Sequence, residues 1–302
     1  MNLQLVFDAL ALGSIYAIAA LGIALIFGVM KLVNFAHGTF IAFCVFALII
    51  PSADAVAVMG LGAAPTAILI PAMLVVGAVL AVTAEYLVFR PLRGASPVVL
   101  MVASFTLGVM IQNLLLVVHG GRPKAVSLWP ELGNPVTVAG ASVPLLQVIV
   151  IVVVALILCA LALMLKYSRL GLEMRAAAED FGMARLLGVR ADVVIMGAFA
   201  LSGALAAVVA LVLVAQTGVA DVRMGGQIML VAFIATVVGG MGSLSGAVLA
   251  GFGIGAAVVV LQVALPAEAR PFREAFVYGL VIAVLLLRPQ GLFAPASAKP
   301  RV

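Results

Sequence analysis

Residues 144–165 carry no charged side chain. A helix needs ~20 apolar residues to cross the hydrocarbon of a bilayer. Similar runs recur along the chain, and most of the charge sits in the short stretches between them. Lipid offers no partner for an exposed backbone N–H or C=O, so a chain of such runs folds as membrane-spanning helices. Composition agrees. Apolar residues make up 66% and charged residues 9% of the 302 residues, against roughly 25% charged in soluble proteins. That is too little charge for the surface of a soluble globule, and too much hydrophobicity for a disordered chain. The expected fold class is all-α: a polytopic helical bundle of about 8–9 spans, one transmembrane domain over residues 1–302.

Charges and turn formers divide the chain into apolar segments at 9–29, 35–50, 66–89, 97–118, 144–165, 193–215, 226–239, 244–265 and 274–288. The second and seventh are short for a span, which predicts tilted, broken or re-entrant helices there. Net charge is +5. In a membrane protein a basic excess marks cytoplasmic loops rather than nucleic-acid binding. The densest basic stretch is the loop 166–192, with Lys166, Arg169, Arg175, Arg185 and Arg190. It is placed in the cytoplasm, together with Lys31, Arg90, Arg93, Arg288, Lys299 and Arg301. The loops near 51–65, 119–143, 216–225 and 266–273 then face outward, as does the N-terminus. Arg122, Lys124, Arg270 and Arg273 lie on that outer side and run against the trend.

Chemistry-bearing motifs are sparse. There is no P-loop, no H-E-x-x-H and no G-x-S-x-G. The two cysteines, Cys44 and Cys159, sit inside apolar runs, and the two histidines, His37 and His119, are far apart, so neither a metal site nor a catalytic residue is expected. Gly251-Phe-Gly-Ile-Gly255-Ala fits a dinucleotide fingerprint by letters, but that pattern needs a strand before it. Here Gly242, Gly246, Gly251 and Gly255 read as small residues that let helices approach closely. Glu85 lies near a span end, where snorkelling or pairing with Arg90 is expected. Polar residues that interrupt apolar pattern are candidates for a pathway or gate: Asn34, His37 and Gly38 between the first two spans, and Gln112 and Asn113 late in the fourth. Gly225-Gly226-Gln227 precedes its span much as Ala36-His37-Gly38 does, which suggests two similar halves.

The stretch 168–190 is hydrophilic but rich in helix formers. Leu170, Met174, Ala177, Phe181 and Ala184 recur at helical spacing, and Gly188 suits a C-terminal cap. This predicts a short amphipathic helix at the cytoplasmic face, ready to lie on the membrane or in a partner's groove.

Within it, Arg175-Ala-Ala-Ala-Glu179-Asp180-Phe-Gly-Met-Ala-Arg-Leu-Leu-Gly188-Val resembles the coupling-helix signature of ABC importer permeases, in the form found in branched-chain amino-acid permeases. Gly13-Ser-Ile-Tyr-Ala-Ile-Ala-Ala-Leu-Gly22 with Val33-Asn34-Phe35-Ala36-His37-Gly38, Gly239-Gly240-Met241-Gly242-Ser243, and Leu287-Arg288-Pro289-Gln290-Gly291-Leu292-Phe293 match the same family in order along the chain. The resemblance implies the shorter of two permease subunits in a bacterial inner-membrane importer. Its partners would be a second permease, two cytoplasmic ATPases that bind ATP and Mg, a periplasmic binding protein and the bilayer, with no nucleic acid. This chain would bind no cofactor and catalyse nothing. Arg175, Glu179, Asp180 and Gly188 would couple it to the ATPases. Branched-chain amino acids are the implied cargo, and the same family also serves urea, short amides and aromatic acids. The competing class is a self-sufficient channel or secondary transporter, which normally carries a buried coupling-ion site. An intramembrane enzyme would need convergent ionisable groups.

Overall fold

The computed structural model describes residues 3–52, 54–138 and 141–293. Lys299 and Arg301 lie outside the described residues. The helices are α1 (Leu3–Met30), α2 (His37–Ala47), α3 (Thr66–Ala84), α4 (Pro97–His119), α5 (Leu145–Tyr167), α6 (Arg169–Glu179), α7 (Phe181–Leu186), α8 (Ala191–Thr217), α9 (Met224–Gly239), α10 (Leu244–Ala264) and α11 (Arg273–Leu287). α3 runs on into a π-helical turn, Glu85–Phe89. Among the described residues six helices are long and apolar enough to cross a bilayer; α2 and α9 are shorter apolar helices. The nine apolar segments of the sequence correspond to α1–α5 and α8–α11. The only strands described are short two-stranded ribbons in the connections.

Helix ends follow local chemistry. Ser168 and Ser243 cap α6 and α10, their hydroxyls accepting from the N–H of Gly171 and Gly246. Gly218, at φ +65°, ends α8.

The connections gather at two ends. At one end Arg90 and Arg93 pair with Asp192, and Leu292 and Phe293 donate backbone N–H groups to Val238 and Gly239. At the other, Lys124 donates to Ser52, residues 124–125 pair with 219–220, and Gln147 donates to Asp8. The loops assigned to one side by charge are thus brought together in space. The first end, with Arg169, Arg175, Arg185 and Arg190, is called the basic end here.

The chain is built from two matching halves of opposite direction. α1–α4 corresponds to α8–α11: a long helix, a six-residue connection, a short helix, then two more helices. Each half's third helix packs on the other half's first, α10 on α1 and α3 on α8. Glycines set every one of these crossings. A Cβ on Gly251 would lie 2.6 Å from Ala17 Cα, and one on Gly255 2.4 Å from Gly13 Cα. On Gly77 it would lie 2.2 Å from the carbonyl oxygen of Gly203. At the centre, α2 and α9 meet through their second residues: a Cβ on Gly225 would lie 1.9 Å from the carbonyl oxygen of Gly38. In lipid there is no hydrophobic force to drive apolar helices together, so close backbone approach supplies the packing. Gly246 packs against Gly239 at the α9–α10 corner. Gly242 lies in the turn between them, at φ +94°, and so shapes the corner rather than a helix contact.

The segment 168–190 and the interior crossing

The segment 168–190 forms two helices where the sequence suggested one. Asp180 breaks them apart. Its backbone is extended (φ −148°, ψ 103°), and its Oδ1 accepts from the N–H of Met183 at 2.9 Å, capping α7. An acidic cap also matches the positive end of the helix dipole. α7 then closes on Gly188 at φ +90°: Gly188 N–H donates to Arg185 O, and Val189 N–H to Ala184 O. That pair of hydrogen bonds is a Schellman cap, which favours glycine. Met174, Ala177 and Ala184 are buried, and Leu170 and Phe181 half-buried, so the apolar stripe faces the body. Gly171 lets α6 fold back tightly on the last turn of α5, where a Cβ would meet Leu165 at 2.4 Å. The Arg175 guanidinium donates to the Lys166 carbonyl at 3.2 Å.

What the segment turns outward is unusual for a polar loop. Arg175, Glu179, Asp180 and Gly188 are all exposed. Beside them stand Leu186 and Leu187, 83% and 79% exposed. Together they form an exposed apolar patch at the tip of a capped, basic loop.

The exit from this segment is anchored. Asp192, in the first turn of α8, accepts from Arg90 at 2.8 Å and also from Arg93. Arg93 in turn donates to Glu85, which is fully buried in the π-helical turn after α3. The partner of Glu85 is therefore Arg93, not Arg90, and the carboxylate is enclosed rather than snorkelling. Arg93 is near enough to reach both acids because the turn after α3 folds it back beneath the helix. Burial opposes the Arg93 charge, but its hydrogen bonds to Asp192 and Glu85 outweigh this and hold it above the ordinary arginine value. Sequence reasoning missed this network: Asp192 lies about a hundred positions from its partners, and only the α3–α8 crossing brings them together.

The structure brings Asn34, His37 and Gly38 together at the interior crossing of α1, α2, α8 and α9. Asn34 and His37 have no exposed surface. Asn34 Oδ1 accepts from Ala36 N–H at 3.0 Å, and His37 Nδ1 lies 3.1 Å from Ser202 Oγ. The imidazole sits on Gly22, where a Cβ would lie 2.5 Å from the ring. Ser104 on α4 receives the N–H of Phe35 at 3.2 Å. Asn34 Nδ2 and His37 Nε2 have no hydrogen-bond partner among the described residues. Gln112 and Asn113 are elsewhere, on α4. Gln112 is half-buried and Asn113 exposed, its amide donating back to Val109 O at 2.8 Å. Ser202 and the Gly77–Gly203 pair went unnoticed in sequence, and Gly225 was paired with Gly38 only as a repeat, not as a contact, since glycines and serines in apolar helices carry no local signal of their partners. Among the described residues no three His, Cys, Asp or Glu side chains converge as a metal site would require.

A family model described as branched-chain amino acid transport system / permease component matches residues 5–285. The chain belongs to this permease family. Among curated relatives, it is 32% identical over 303 residues to the high-affinity branched-chain amino acid transport system permease protein BraD of Pseudomonas aeruginosa, covering 96% of this chain and 95% of that one. It is 32% identical over 307 residues to the corresponding protein LivH of Escherichia coli K12, covering 96% and 94%. A partial match, 31% over 143 residues, links it to the autoinducer 2 import system permease protein LsrC of Yersinia enterocolitica, with 47% of this chain and 38% of that one covered. No solved structure matches. As a permease of this family the chain is a multi-pass membrane transport protein, and its helical bundle is what the family's membership requires of it.

Proposed function

We propose that this chain is the membrane-spanning permease subunit of an ATP-driven importer that carries branched-chain amino acids across the bacterial inner membrane. The observation that carries the reading is the coupling segment: two capped helices at the basic end, tipped by exposed Leu186 and Leu187 and flanked by Arg175, Glu179, Asp180 and Gly188. The basic end is cytoplasmic by the positive-inside rule. There are two cytoplasmic ATPases, one on each permease; the one on this chain grips this segment, and ATP and Mg chemistry resides in those partners. Asp192 and the Arg90–Arg93–Glu85 network tie the segment to α8 and α3. α8 and α3 are locked by Gly77 and Gly203. A displacement of α6–α7 therefore moves the α3–α8 pair as a unit, and the two access states are selected by differential contact with the ATPases.

The second permease covers α4. Asn113 faces outward, and Gln112 is half-buried beside it, six and seven residues before the helix end and so about 10 Å inside the hydrocarbon. Polar side chains at that depth face a partner or a watered cavity rather than lipid. The pathway accordingly runs between the two permeases along this face, with Asn34, His37 and Gly38 as the pivot behind it. A periplasmic binding protein delivers cargo to the opposite end, where the loop 119–143 lies. Branched-chain amino acids are the cargo because the relatives that match along nearly the whole chain are branched-chain amino acid permeases.

Purification of the chain from its native membrane in mild detergent tests the reading. Mass spectrometry should find a second permease and P-loop ATPases, and titration of the companion binding protein should identify leucine, isoleucine and valine. A binding protein selective for urea, amides or aromatic acids would replace the cargo. A chain that purifies alone and transports unaided would overturn the reading.

A further inference from the structure

A groove of about 1040 Å³ opens between α3, α5 and α8. That is at the upper limit of the ~300–1,000 Å³ usual for small-molecule pockets. It exists because α5 stands off the body: only Val150, Val154 and Leu161 of its 23 residues are buried. The groove follows α5 from Leu146 to Met164, about 27 Å at 1.5 Å per residue, nearly the ~30 Å of bilayer hydrocarbon. α3 contributes only Thr66, Ile70 and Leu74, its first turns at the end away from the basic loops, so the groove has its third wall in that half of the membrane.

That end has a roof. Trp129 is one of two non-glycine residues described with positive φ (52°), a conformation held against its intrinsic cost. Its indole Nε1 donates to Thr66 Oγ1 at 3.1 Å, bridging the loop to α3. The turn Pro130–Gly133 follows, and Glu131 is the one charged residue in the lining. A spanning helix must leave a groove at both ends, and the roof closes one of them. An acyl chain has a free end and enters sideways from the membrane. The partner permease is placed on α4, which does not line this groove.

We infer that the groove under the Trp129 roof is a binding site for an outer-leaflet phospholipid, whose acyl chains lie between α5 and α8. Its headgroup rests beside Trp129 and Glu131. The Glu131 carboxylate repels an anionic headgroup, so the occupant is zwitterionic, with an ammonium facing that carboxylate. Bound lipid then replaces the protein contacts that α5 lacks. The inference does not depend on the proposed cargo or on ATP.

The test is native mass spectrometry of the complete complex after exhaustive detergent exchange. Wild type should keep one phosphatidylethanolamine per copy of this chain. Ala204→Phe, which fills the α8 wall, should lower that occupancy about tenfold, and Val260→Phe on the exposed face of α10 should leave it unchanged. Trp129→Phe removes the hydrogen bond to Thr66 and shrinks the roof by one ring, and should speed lipid loss during exchange. This variant decides the matter if Ala204→Phe does not fold. A wild-type complex without retained lipid overturns the inference. So does retention of phosphatidylglycerol in its place, full retention in a folded Ala204→Phe complex, or a cross-link from Ile70→Cys to another subunit.

Discussion

α1 and α5 are both long, strongly apolar helices, and they meet opposite fates. α5 is the more apolar, yet only 17% of its most apolar window is buried, against 78% for α1. In water the order would be reversed. In a bilayer, lipid tails solvate leucine and valine as well as another helix does, so apolarity does not select burial. What separates the two is side-chain size. α1 presents Gly13, Ala17 and Gly22 to α10 and to His37, and backbones approach within a Cβ's width. α5 offers branched side chains and no glycine. The interior of this permease is a lattice of glycine contacts, and its periphery is held by polar ties.

The sharpest way to break that contrast is to add bulk on each side of it. Gly203→Leu places a side chain into the Gly77 backbone, and Gly225→Leu into that of Gly38. Either should abolish folded protein in the membrane, measured as monodisperse yield, since no neighbour is a flexible side chain that can yield. Val152→Leu on exposed α5 should change stability by no more than about 0.5 kcal/mol. Equal tolerance at both places would contradict the glycine lattice.

Much of this was legible in the sequence, and what was not has a physical cause. The nine apolar segments, the grouping of their loops at two ends and the family motifs are local signals, readable from charge and spacing. The brevity of the second and seventh segments was visible too, but its meaning was not: α2 and α9 both begin inside the bundle and meet at Gly38 and Gly225. The break at Asp180 was missed because the apolar stripe keeps helical spacing across it, while the aspartate competes for the Met183 N–H as a cap. Contacts such as Glu85–Arg93–Asp192 depend on the α3–α8 crossing, which no local pattern encodes.

That network gives the next largest effect. Glu85→Ala leaves Arg93 without its buried partner. Loss should be about 2–3 kcal/mol, less than the ~3–5 of a fully buried pair because Arg93 is 23% exposed. Thermal unfolding of the purified complex measures it, and Asp192→Asn should cost less, since Asp192 is half exposed. A Glu85→Ala complex as stable as wild type would show that the tie is ornamental.

Gly188→Val should destabilise α7 by about 1–3 kcal/mol, because a β-branched residue is strained at φ +90°. The effect is confined to the coupling segment, so the membrane bundle should remain folded while ATP-driven uptake falls. Gly188→Asn, which tolerates positive φ, should recover most of it. The smallest effect on stability is expected at the tip. Leu186→Asp and Leu187→Asp alter largely exposed side chains, and should shift unfolding by no more than about 0.5 kcal/mol.

Those last variants also give the most direct test of the account. The complex is reconstituted in vesicles with its binding protein and radiolabelled leucine, with ATP supplied on the side of the basic loops. Wild type should show ATP-dependent leucine uptake, and the Leu186→Asp/Leu187→Asp double variant should lose it with the bundle intact and the ATPases no longer retained. Undiminished uptake by that variant, or leucine flux through wild type without ATP, would contradict the account.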